Sequence, residues 1–153
     1  MGNSVKINSI SATYNLTIIG DITADIINVK RKLFIDGNIT ANKIYCNYDL
    51  YCSGNISSEY LEVGTNLTAN EIKCKEIKCD GNISVETVLD VDGTCKCEGT
   101  IFSGEGIIGE GIFSSKKAVP NDYFDFNGKN YLSERALETV LDGLLKNWEE
   151  LYQ

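Results

Sequence analysis

The side chains of this chain that can do chemistry include six cysteines and 22 acidic residues, but no histidine. Without histidine there is no Ser-His-Asp triad, no histidine-ligated metal and no imidazole base. One carboxylate pair, Asp90 and Asp92, stands two residues apart in a turn-like stretch, and Glu105 and Glu110 lie in glycine-rich segments. We expect these carboxylates to be solvated. The sequence therefore predicts a protein that is not an enzyme and holds no cofactor.

Cysteine is frequent for a chain without an export signal, and four cysteines replace valine or isoleucine in repeated segments: Cys46, Cys52, Cys74 and Cys79. Such positions favour small buried thiols in a reducing compartment. A disulfide ladder or a zinc site is the alternative. The chain has no C-x-x-C pair, and Cys95-Lys96-Cys97 is a weak metal motif alone. We therefore predict no metal.

Five asparagines begin Asn-x-Ser/Thr sequons, namely Asn15, Asn38, Asn55, Asn66 and Asn82. Four of them fall at one position of a repeat, so the repeat explains them better than glycosylation does. We expect this position to form a corner at which amides stack between successive coils. An outward array of Asn and Thr for binding ice is the alternative.

The net charge of −8 disfavours binding to a nucleic-acid backbone. The one basic run, Lys30-Arg31-Lys32, is typical of a solvated corner, and a contact for an acidic partner is the alternative. No segment has the apolar length of a membrane span, and the first residues lack the pattern of a secretion signal. We expect a cytoplasmic protein without a membrane or nucleic-acid partner.

The elements that hold these residues form an internal repeat. Residues 16–24, 33–41 and 50–58 align at an offset of 17, with the pattern L-x-[IC]-x-G-[DN]-I-[TS]-[AS] followed by a second apolar pair. A fourth copy is split between residues 66–74 and 77–84. The alternation of apolar and polar residues indicates strands, and so short a unit buries its apolar face only by stacking. The repeat therefore predicts an all-β solenoid with coils of about 17 residues.

The C-terminal part has a different pattern. We predict a solenoid over residues 1–114, a linker over 115–120, and a hairpin with an α-helix over 121–153. The hairpin prediction rests on the Asn127-Gly128 dipeptide between short apolar runs. The helix would carry a heptad seam that either joins two copies or caps the solenoid. The seam, our candidate oligomerisation site, consists of Leu137, Leu141, Leu144, Trp148 and Leu151.

Over residues 16–101 the repeat resembles those of the bactofilins, the polymer-forming bacterial cytoskeletal proteins. The resemblance implies a right-handed β-helix and end-to-end polymerisation without a nucleotide. We therefore expect a self-associating scaffold that forms a homodimer or a polymer.

A second hypothesis belongs to another class. The Asn-, Ile- and Lys-rich composition suggests an AT-rich genome, that of a low-GC bacterium or its phage. A small acidic dimer without catalytic groups would fit a phage-encoded inhibitor, such as an anti-CRISPR protein. Such an inhibitor would bind a host protein, with its acidic rod as a nucleic-acid mimic.

Overall fold

The computed structural model describes the backbone of residues 4–126 and 129–130, and the side-chain surroundings of residues 7–124. Within these residues all regular structure belongs to one sheet of 16 strands, and every strand pair is parallel. The strands are β1 Ser4–Ala12, β2 Leu16–Ile19, β3 Asp21–Val29, β4 Leu33–Asp36, β5 Ile39–Cys46, β6 Leu50–Cys52, β7 Asn55–Val63, β8 Leu67–Ala69, β9 Glu71–Cys79, β10 Ile83–Val85, β11 Val88–Val91, β12 Thr94–Ser103, β13 Gly106–Gly109, β14 Ile112–Pro120, β15 Tyr123–Phe126 and β16 Lys129–Asn130.

Each strand pairs with a strand one coil further on, which makes a solenoid of about seven coils of the right-handed type. The offset between paired residues is 17 in the first coils, as the repeat predicted. A coil has three sides. Side A holds the first halves of β1, β3, β5, β7 and β9, then β11, β13 and β15. Side B holds the second halves of those five long strands, the first halves of β12 and β14, and β16; side C holds β2, β4, β6, β8, β10 and the second halves of β12 and β14.

The core lies inside the coils, where the apolar residues of each alternating strand form columns along the solenoid. One column on side A consists of Ile22, Ile39, Ile56 and Ile72, each at most 1% exposed. Alternation places every second residue inside, so a single coil buries little and stacked coils bury a continuous column. The predicted all-β solenoid is confirmed.

Asparagine side chains join successive coils at the corner between sides B and C. The Asn15 Oδ1 accepts the backbone N–H of Lys32 at 3.0 Å. Further along the same corner, Asn66 Oδ1 accepts the N–H of Asn82 at 3.0 Å, and Asn82 Oδ1 accepts that of Thr100 at 2.9 Å. Each amide thus satisfies a corner N–H that the strand ladder leaves unpaired.

A second set of the same bonds lies at the corner between sides C and A. There Asp21 Oδ1 accepts the N–H of Asn38 at 2.9 Å, and Asn38 Oδ1 accepts that of Asn55 at 2.8 Å. The sequon asparagines therefore occupy two corners, not one, and most of these bonds run from backbone N–H to side chain. The fourth repeat looks split because its Gly81-Asn82 motif lies at the corner between sides B and C. The equivalent Gly37-Asn38 and Gly54-Asn55 motifs lie at the corner between sides C and A.

The predicted fold class is wrong at its C-terminal end. Strand β14 runs through residues 115–120, where we predicted a linker. Strands β15 and β16 pair in parallel with β13 and β14, so residues 123–126 and 129–130 continue the solenoid and do not pair with each other as a hairpin. The described residues contain no helix, so the architecture of a solenoid followed by a hairpin and a helix is not the one observed. The positions assigned to the helix seam lie outside the described residues.

Strand β15 pairs with β13 because its residues match the register of the preceding coil. Residues Gly106–Gly109 offer an unpaired strand edge, and Tyr123–Phe126 stand 17 residues further on, the spacing of the solenoid. Pairing there packs Phe124 edge-on against buried Phe113, with ring centroids 5.3 Å apart. A local hairpin would have left that edge unpaired and the aromatic ring without this contact.

Candidate functional site

The open N-terminal end of the solenoid is the candidate site for self-association. Strand β1 pairs only with β3, and β2 pairs only with β4. No other strand among the described residues covers the outer edges of β1 and β2. An uncovered strand edge is a template for pairing with another chain.

The inward residues of this first coil are less covered than their equivalents in later coils. Ile10 and Leu16 pack against the core but remain partly exposed, and Ile7 is 36% exposed. One coil further on, Ile27 and Leu33 are at most 1% exposed. A further coil stacked on this end would bury that apolar surface, which gives the edge a driving force for association.

The direction of the backbone groups at this edge follows from the pairing of β2. The N–H of Leu16 donates to Lys32 O at 2.9 Å, toward the next coil. Leu33 and Leu50 donate forward in the same way at 2.9 Å. Because successive residues of a strand point their backbone groups to opposite edges, the N–H of Thr17 points to the open end.

The candidate oligomerisation residues of the sequence lie outside the described residues: Leu137, Leu141, Leu144, Trp148 and Leu151. The structure therefore neither brings them together nor separates them. The surface that the structure does describe at the N-terminal end has a signal in the sequence, the apolar pair Ile10 and Ala12, which precedes the equivalent pair Ile27 and Val29 by 17 residues.

All six cysteines are free thiols buried in the core columns: Cys46, Cys52, Cys74, Cys79, Cys95 and Cys97. Burial raises the pKa of Cys52 to about 11 and that of Cys74 to about 12. Cys79 and Cys97 are paired residues of neighbouring coils, and a hydrogen bond between their thiols, together with burial, raises the pKa of Cys79. The same hydrogen bond lowers the pKa of Cys97. The five thiols whose pKa is raised stay protonated, which makes them poor nucleophiles and poor metal ligands.

The carboxylates singled out from the sequence do not assemble a reaction centre. Burial, followed by the neighbouring carboxylate of Asp92, raises the pKa of Asp90. Lys73 lies beside Asp90 on the preceding coil and acts in the opposite direction. Glu105 and Glu110 are exposed. No group of three acidic or cysteine side chains within the described ranges is placed to hold a metal ion.

The basic run lies at the corner between sides B and C beside exposed aromatic rings. The Arg31 guanidinium stands 5.7 Å from the centroid of the Tyr14 ring, and Lys32 Nζ is 3.8 Å from a carboxylate oxygen of Asp49. On the adjoining side C, the exposed rings of Phe34 and Tyr51 stack 4.8 Å apart. The sequence motifs did not lead us to predict this aromatic stack, although the 17-residue spacing of the two rings was its signal.

A groove of about 610 Å³ runs along the solenoid at the bend between sides A and B. Its floor is lined by small residues of successive coils, Ala24, Ala41, Ser58 and Cys74, and hydroxyl side chains line one wall. Lys73 continues the hydroxyl wall, and the other wall carries carboxylates, amides and Lys75. The repeat keeps alanine or serine at the floor position where other inward positions carry branched apolar residues. That choice of small side chains is the signal from which the groove could have been inferred.

In comparisons with known proteins, no family model, curated protein or solved structure matches the chain. Among the described residues there is no helix with the length and apolar character needed to cross a membrane.

Proposed function

We propose that this protein is a non-enzymatic structural subunit that associates with copies of itself through the open N-terminal coil. The observation that carries the proposal is the uncovered edge of β1 and β2 together with the partly exposed apolar residues behind it. Both features are removed from water when another coil stacks on that end. Hydrogen bonds give such a contact its direction, and apolar burial gives it most of its stability.

The symmetry of the contact determines whether a closed dimer or a filament forms. If two N-terminal ends meet, the contact is the same patch on both subunits and the product is a closed dimer. If the N-terminal end of one copy meets the C-terminal end of another, the contact repeats and a filament grows. The parallel stacking continued from coil to coil favours the second arrangement, because it preserves the register of the core columns.

The test is the mass of the purified protein in reductant, measured by light scattering over a wide range of concentrations and paired with negative-stain microscopy. The variant Thr17→Pro removes an N–H that points to the open end and has no partner within the described chain. Thr17→Ser is the matched control, because it keeps the backbone N–H. Ile10→Lys is a second variant, which places a charge on the exposed apolar end.

We expect the wild type and Thr17→Ser to associate, and both blocking variants to be monomers with an unchanged far-UV circular dichroism spectrum. Filaments would indicate head-to-tail stacking, and a dimer that does not grow would indicate joined N-terminal ends. A wild type that stays monomeric at all concentrations contradicts the proposal. Association that survives both blocking variants also contradicts it, because the contact would then lie elsewhere.

A further inference from the structure

The groove between sides A and B is a separate feature from the open end, and its length is set by the solenoid. Its lining runs from Asn8 in the first coil to Asp92, five coil steps further on. At about 4.8 Å for each step the groove is roughly 24 Å long. It therefore suits an extended chain lying parallel to the solenoid axis better than a compact small molecule.

One wall of the groove is a row of hydroxyl groups from three successive coils. Thr23, Thr40 and Ser57 are paired residues in the strand ladder, so their side chains repeat at the coil spacing. The hydroxyls of these three residues make no hydrogen bond to another described residue. A free hydroxyl both donates and accepts a hydrogen bond, so the row can bind a ligand that does the same.

The opposite wall carries three carboxylates, two amides and one ammonium group, and some of these groups pair with one another. The Asn42 Nδ2 donates to Asp25 Oδ1 at 2.6 Å, and Lys75 Nζ lies 3.7 Å from Glu59 Oε1. The Lys75 and Glu59 side chains remain 67% and 64% exposed, so water or a ligand can reach them. With Lys73 on the hydroxyl wall, the lining holds three carboxylates and two ammonium groups, and this near balance of charge favours a polar ligand without a large charge of its own.

Three other ligand classes fit this lining poorly. Phosphates of a nucleic acid would meet the carboxylates of Asp25, Glu59 and Asp92. A peptide strand adds to a free backbone edge, and beyond β1 the strands that line the groove, β3, β5 and β7, are paired on both sides. An apolar ligand would leave the hydroxyl row unpaired.

We propose that the groove binds an extended, neutral, β-linked polysaccharide, whose hydroxyls pair with the row of Thr23, Thr40 and Ser57. An extended sugar chain presents hydroxyl groups at a regular spacing along its length, as the row does. Among the described residues no aromatic ring lines the groove, so the binding relies on hydrogen bonds and is weak for each sugar unit. The length of the groove compensates by engaging several units at once.

The test is isothermal titration of the purified full chain with cellohexaose and chitohexaose as probes. Maltohexaose, which curves, and an oligogalacturonate, which is anionic, are the comparison ligands. The variant removes the hydroxyl row by Thr23→Val, Thr40→Val and Ser57→Ala together. The matched control changes three outward residues of the same types on side C: Thr68→Val, Thr100→Val and Ser84→Ala.

We expect one of the two extended neutral probes to bind, and to lose about tenfold or more in affinity in the hydroxyl-row variant but not in the control. The comparison ligands should bind more weakly than the extended probe. Equal urea midpoints of the two triple variants show that the loss does not come from unfolding. No heat with either extended probe up to about 10 mM, or equal losses in variant and control, would overturn the proposal. Preferential binding of the oligogalacturonate would also overturn it.

Discussion

The tight corner at Gly54 gives a sharp test of how the coils stack. A Cβ placed on Gly54 would lie 2.6 Å from the carbonyl oxygen of Gly37 and 2.3 Å from Oδ1 of Asn38 on the preceding coil. Ordinary contact begins at 3.4 Å, so the two backbones would have to part by about 0.8 Å. The Gly54 N–H donates to that same Gly37 oxygen at 3.0 Å, and parting the backbones breaks this bond.

The Asn38 side chain would also have to turn away, which breaks its 2.8 Å bond to the N–H of Asn55. Two lost hydrogen bonds and the overpacking together predict that Gly54→Ala lowers the free energy of unfolding by about 3 kcal/mol. Urea denaturation in reductant, followed by circular dichroism, measures this difference. Ser53→Ala is the matched control, because its exposed hydroxyl only bonds Asp36, and we expect a change within about 0.5 kcal/mol.

Gly99 offers an internal replicate of the same geometry. Its Cβ would lie 2.3 Å from Asn82 Oδ1 and 2.6 Å from the Gly81 oxygen, the distances found at Gly54. The free energy lost in Gly99→Ala should therefore agree with that of Gly54→Ala to within about 1 kcal/mol. A Gly54→Ala variant as stable as the wild type would refute the reasoning that coil spacing at the corners is set by glycine.

Three further predictions concern acid stability, thiol chemistry and the core. Hydrogen bonds from the Thr65 hydroxyl and the Asn66 N–H lower the pKa of Asp49, so its stabilising effect is present at neutral pH and is lost as the pH falls below about 4. Urea midpoints measured across this range should therefore depend less on pH in Asp49→Asn than in the wild type. The buried cysteines should not react with Ellman's reagent at neutral pH until urea unfolds the chain, and a fast-reacting thiol in the folded protein would contradict their burial. Denaturant unfolding of Ile56→Ala should show a loss of about 2–5 kcal/mol, whereas Ile10→Ala, in the half-covered first coil, should lose about 1 kcal/mol, and equal losses would contradict an open end.

The interior of the solenoid could be predicted because its inward residues recur at a regular spacing in the sequence. The offset of 17 between Ile22, Ile39 and Ile56 predicts which residues pair, and the alternation of apolar and polar residues predicts which of them face inward. The buried cysteines followed from the same register. Each of these features depends only on sequence spacing, which a single sequence shows directly.

The C-terminal part was mispredicted because two kinds of pairing compete for the same residues. Asn127-Gly128 favours a local hairpin, and nothing within ten residues argues against it. The long-range pairing of Tyr123–Phe126 with Gly106–Gly109 shows only when the 17-residue offset is carried through a glycine-rich copy of the repeat. The groove escaped prediction for a related reason, since its walls come together only when the strand bends between sides A and B.

The peptide Asp-Gly-Asn-Ile occurs at residues 36–39 and again at 80–83, at two different corners of the coil. The piece of chain that can be copied or lost without damage is therefore one side, about a third of a coil. Gaining or losing one side preserves which residues face inward but turns all later residues by one corner relative to the earlier ones. An insertion of that kind would move a binding surface to a different side of the solenoid and leave the core unchanged. Evolution of such a rod can thus change which surfaces align along its length by editing a handful of residues at a corner.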